Sequence, residues 1–150
     1  MQPLDRLFFY FIRNLGISSS QAFVDFNFTP PILRRNIAIL GLIHKRVLGL
    51  AHEDFNELWP FAEPRAFQSR LNPRHDKQLQ TEFHGCNFRS LLFRRSIFGA
   101  IHVYNKLPQS FVDCTSVSAF QSLLNDHARH QCQRNFEGWD ELYSPSVLAS

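Results

Sequence analysis

From Arg34 to Arg46 the chain reads RRNIAILGLIHKR, two basic residues at each end and nine uncharged residues between them. Placed on a helix at 100° per residue, Leu33, Ile37, Leu40, Ile43, Val47 and Leu48 fall in one broad apolar arc. Opposite them lie Arg34, Arg35, Ala38, Gly41, Leu42, Lys45, Arg46 and Gly49. The spacing predicts an amphipathic helix over roughly Pro31 to Leu48, opened by Pro30-Pro31. Its outer side is expected to be basic at both ends and small in the middle. The two basic pairs stand about 16 Å apart at 1.5 Å per residue. Such a side is either a solvated face or a seat for a phosphate backbone. Gly41 fits a close approach to an anion or to another helix.

Helical spacing extends in both directions from this stretch. Leu4, Leu7, Phe8, Phe11, Ile12 and Leu15 predict a first helix that stops at Gly16. Phe9 and Tyr10 sit on its other side beside Arg6 and Arg13, so it is apolar nearly all round and expected to be buried from more than one direction. The run SSSQAF, from Ser18, caps a short second helix to about Asp25. Acidic residues open HEDFNELW, His52 to Trp59, where they suit the helix dipole. Periodicity fades from Phe61 to about Phe88, the expected long loop. It returns in SIFGAIHVYNKLP, stops at Pro108, and resumes after Thr115-Ser116 with Val117, Phe120, Leu123, Leu124 and Ala128 on one face.

The fold class expected is all-α: a small irregular assembly of about four to five helices with one long loop, part of a larger domain. Residues 4–59 form a helical segment with the basic helix, 60–90 a loop-rich connector, 91–134 a C-terminal helical tail and 135–150 a flexible end.

Composition narrows the function. Hydrophobic residues make up 44% of the chain and charged residues 19%, which is not the composition of a disordered tail. Sixteen Phe suggest a core and apolar surface beyond what the chain covers alone. The net charge is +3, but twelve Lys/Arg against six Asp/Glu fall between Arg34 and Lys106 and four against seven outside. The middle therefore leans toward an anionic partner. Cys86, Cys114 and Cys132 are odd in number and form no CxxC, as expected of reduced intracellular thiols. The longest apolar run near the N-terminus, Leu7 to Ile12, is too short to span a membrane. The expected location is intracellular, nuclear or cytoplasmic, with no membrane partner.

FRSLLFRR, Phe88 to Arg95, interleaves aromatic and arginine residues, a pattern that serves nucleic acids or a packed segment with snorkelling arginines. Arg94 and Arg95 join Arg34, Arg35, Lys45 and Arg46 as candidate nucleic-acid contacts. His84, Cys86, His127, His130 and Cys132 match no common zinc spacing, so no metal or cofactor is expected. There is no phosphate loop and no nucleophile elbow, and the adjacent carboxylate pairs sit where helix dipole and solvation account for them. No catalytic residue is assigned and no enzyme activity is expected.

Two blocks carry a resemblance. LDRLFFYFIRNLG followed by AFVDFNFTPPILRRNIAILGLIHKRVLGL resembles the segment after the polymerase domain in reverse transcriptases of non-LTR retrotransposons. RRSIFGAIHVYNKLPQSFVDCTSVSAFQSLL is similar to the tail of the same proteins, through Tyr104, Asn105, Leu107, Pro108, Ser116 or Ser118, and Phe120. Tyr104 stands where Trp is common in that tail. Together the blocks cover most of Leu4 to Leu124. The family's chemistry lies in a palm domain whose paired aspartates hold two divalent metals, and this chain carries no Asp-Asp pair. The resemblance thus implies a thumb-side and C-terminal piece without catalysis. Such a piece helps hold the template–product duplex or packs against the polymerase, its partners being RNA or DNA backbone and a polymerase domain or another protein surface. The alternative expected from the residues alone is a helical interaction or scaffold module that docks through exposed Phe9 and Tyr10.

Overall fold

A computed structural model of the chain describes residues 3–63, 74–81 and 99–145. Among these residues there are seven α-helices and no strand: α1 (Pro3–Asn14), α2 (Ser19–Phe26), α3 (Pro31–Val47), α4 (Asp54–Leu58), α5 (Gly99–Asn105), α6 (Gln109–Val112) and α7 (Val117–Gln133). The all-α class holds. The count exceeds the expected four to five because short pieces separate at prolines and turns, α6 being a single turn behind Pro108.

Local chemistry sets the boundaries. Ser18 caps α2 by accepting from the Gln21 amide, and Ser116 caps α7 by accepting from Ala119. Each satisfies an N–H that the helix itself leaves bare. Pro31 opens α3, where a missing N–H costs nothing. Gly16 follows α1 at φ +67°, a conformation that penalises any side chain with a Cβ.

The core forms where α3 lies against α7 and α5. Leu33, Ile37, Leu40 and Ile43 of α3 meet Ile101 and Tyr104 of α5 and Phe120, Leu124 and Ala128 of α7. Each such side chain, fully withdrawn from water, contributes about 1.5–3 kcal/mol before entropy is counted. A second, smaller cluster joins α1 to α2 through Phe8, Ile12 and Ala22, with Ile17 and Phe28 against it.

Two regions expected to be loose contribute to the core. From the connector, Leu79 and His75 are buried, and Leu79 forms an isolated antiparallel bridge with Phe61. The asparagine Asn105 grips the Leu79 backbone at both ends: its Oδ1 accepts from Leu79 N at 2.9 Å and its Nδ2 donates to Leu79 O at 2.8 Å. Connector residues 64–73 and 82–90, with Cys86, lie outside the described residues. The stretch expected as a flexible end begins with a packed turn instead. Trp139 stacks on Phe23 at 5.2 Å, and buried Tyr143 donates to Leu124 O at 2.9 Å.

Candidate nucleic-acid interface

Among the residues quoted for the tail, Tyr104, Leu107 and Phe120 are buried in the core, Asn105 is half-buried, and Pro108, Ser116 and Ser118 are exposed. His44, from LGLIH, lies fully buried with its ring stacked on Phe120 at 4.1 Å. Its Nε2 is 2.8 Å from Cys114 O and its Nδ1 2.9 Å from the Tyr104 hydroxyl. A carbonyl only accepts, so Nε2 carries the proton. Nδ1 then has only a lone pair, and the Tyr104 O–H donates to it. Burial pushes the His44 pKa down and the Tyr104 phenol up, holding both neutral.

His75 repeats the arrangement: its Nε2 donates to Tyr104 O at 3.0 Å and its Nδ1 accepts from Lys77 N at 3.1 Å. Leu107 is buried and Pro108 is the N-cap of α6. Tyr104, Asn105, Leu107, Pro108 and Phe120 are thus taken up by packing and backbone bonds. The chemistry facing solvent lies elsewhere.

The four basic residues of α3 separate. Arg34, Arg35 and Lys45 are exposed, whereas Arg46 is only 8% exposed. Its guanidinium lies over the Phe61 ring, 4.6 Å from the centroid, and burial lowers its pKa. Nor is the middle of the helix a small-residue floor. Gly41 is buried, and a Cβ there would run into the Gln121 side-chain amide of α7. This glycine serves helix packing. Arg94 and Arg95 lie outside the described residues.

The exposed basic residues do not share one origin. Lys45 stands in the last turn of α3, where the dipole welcomes a cation. Arg34 and Arg35 stand near its first turn, which holds no acidic residue, and there the dipole disfavours cations. Two arginines beside the positive end of a 17-residue helix raise the local potential in a way that folding does not reward. Among the described residues neither forms an ion pair with a carboxylate.

Arg34 also edges an open groove of about 490 Å³ between α3 and α7. Ile37 and Ala38 line one side; Ser118, Gln121, Ser122 and Asn125 line the other, with Asn27, Thr29 and Asp126 completing it. Asn125 is oriented by Thr29, whose hydroxyl donates to it at 2.9 Å, and by its own bond to Asn27 at 3.0 Å. The groove is polar and shallow, and it offers no nucleophile paired with a base.

Of the histidines in the sequence's His/Cys set, His84 lies outside the described residues, His130 is exposed and His127 is engaged by Tyr143. Since Tyr143 spends its proton on Leu124 O, His127 Nδ1 donates to the Tyr143 oxygen at 3.0 Å. Among the described residues no group of three His, Cys, Asp or Glu is placed to hold a metal ion. Among them, too, no helix is long and apolar enough to cross a membrane.

Neither family models, nor curated proteins, nor solved structures give a match to this chain.

Residue spacing located Arg34, Arg35 and Lys45 on the exposed side. It missed the inward turn of Arg46, since nothing local signals Phe61 fifteen residues on. It also missed Ser122 and Asn125, which are unremarkable polar positions until α7 lies beside α3.

Proposed function

We propose that this chain is a non-catalytic helical module of the kind that follows the polymerase domain in non-LTR retrotransposon reverse transcriptases. Its activity is weak binding of nucleic-acid backbones without regard to sequence, along the exposed edge of α3. The observation that carries this reading is the pair Arg34 and Arg35, exposed at the positive end of α3, with Arg34 at the edge of a polar groove. Lys45 extends the edge by about 16 Å, a length that spans several phosphates. The mild positive charge of the middle of the chain acts in the same direction.

Three phosphate contacts give a slope of about −3 in log K against log salt on a duplex, hence modest affinity that fades at physiological salt. Fluorescence anisotropy with a random-sequence duplex, titrated with salt, tests the reading. The wild type is expected to show that slope, and the R34A/R35A/K45A variant to lose most of the binding and nearly all of the slope. Equal affinity of the two proteins would remove the proposal.

A further inference from the structure

The N-terminal helix presents a second surface that the basic edge of α3 does not explain. Only Phe8 and Ile12 of α1 are buried; Leu4, Leu7, Tyr10, Phe11 and Leu15 are between 53% and 69% exposed. At helical periodicity, and with Leu15 continuing the last turn, these five fall in one continuous arc in the order Tyr10, Leu7, Phe11, Leu4, Leu15. The arc takes up less than half of the circumference. Arg6 and Arg13 lie outside it, beyond Tyr10, and Asp5 lies beyond Leu15 on the side of buried Ile12. Within the arc the apolar side chains are joined only by Pro3 and Asn14, so it holds no charge.

We infer that this arc is the interface of a homodimer, covered by α1 of a second copy of the chain. The five side chains leave on the order of 700 Å² open, above the 300–600 Å² patch of an ordinary monomer and close to the ~800 Å² each partner gives to a standard interface. The steps from Leu4 to Leu7 to Phe11 are three and four residues, the seam along which two helices interdigitate. A seam without charge is its own complement, whereas a charged partner would bury ions with nothing to pair them. A lipid surface fits less well, because cations border the arc on the Tyr10 side alone, while its other border runs into the protein at Phe8 and Ile12. Two-fold closure uses the same residues from each copy and leaves no free edge to propagate.

Sedimentation equilibrium of the full chain across a wide concentration range tests this. The wild type is expected to shift from the 17.5 kDa chain mass to twice that value as concentration rises. The L4E/L7E variant, altered only at exposed positions, is expected to keep its far-ultraviolet circular dichroism and to associate roughly a hundredfold more weakly. A wild type that stays at the chain mass throughout would overturn the inference. So would a variant that associates like the wild type, or a wild type that forms a continuum of larger species.

Discussion

The buried side of α3 and the open side of α1 use similar residues to opposite ends. At His44 the helix spends both ring nitrogens: the imidazole gives one proton, receives another and lies flat on Phe120. Around Leu7 the helix leaves its largest apolar arc in water. The first region closes on itself and defines the fold. The second is satisfied only from outside, so stability and association are written in different helices.

That contrast is open to direct attack. The largest effect belongs to Phe120, which supports the His44 ring and is fully buried. Phe120→Ala is expected to cost about 3–5 kcal/mol in a urea titration, enough to leave little folded protein. A loss below about 1 kcal/mol would show that the centre is not where the fold is held.

Acid comes next. His44, His75 and His127 have pKa values lowered first of all by burial, against an ordinary value near 6.5 in the unfolded chain. The unfolded chain therefore takes up protons before the folded one does. The stability these groups contribute is complete above about pH 6.5 and is lost as the pH falls from there toward the depressed folded values. Melting temperatures measured from neutral to mildly acidic pH are expected to fall along that window. A flat profile would mean that the neutral imidazoles contribute nothing.

A finer probe is Tyr104→Phe, which keeps the ring and removes the one donor to His44 Nδ1. It is expected to cost about 1–3 kcal/mol by leaving a buried acceptor bare, and to leave far-ultraviolet circular dichroism unchanged. The smallest effect is expected on the open side. Leu4→Ser, measured at low protein concentration where association is absent, is expected to shift the unfolding free energy by less than about 0.5 kcal/mol. A cost like that of Phe120→Ala would erase the distinction between the two regions.

Much of the architecture was legible because it obeys a period. Leu33, Ile37, Leu40 and Ile43 repeat at helical spacing, and all four are buried. Ser18 and Ser116 announce their helices by cap chemistry, and both accept the expected amide. What escaped notice depends on contacts between distant segments. Leu79 and His75 sit in a stretch with no period, so nothing local marks them as core. Tyr143 follows a glycine-bearing turn, and its burial exists only because α7 offers the Leu124 carbonyl. Arg46 looked like its three basic neighbours until Phe61 came within 4.6 Å. Gly41 had two readings, and only the position of Gln121 chose between them.

Asn105 shows what a single amide can replace. Its side chain has the donor and the acceptor of a peptide group, and it presents both to the two backbone atoms of Leu79. The pair works as one rung of a sheet whose second strand is a side chain. Aspartate has the same outline with no donor, and leucine has neither half, so the rung tolerates no isostere. An all-helical protein thus holds a non-helical segment by borrowing the grammar of β structure, one residue long.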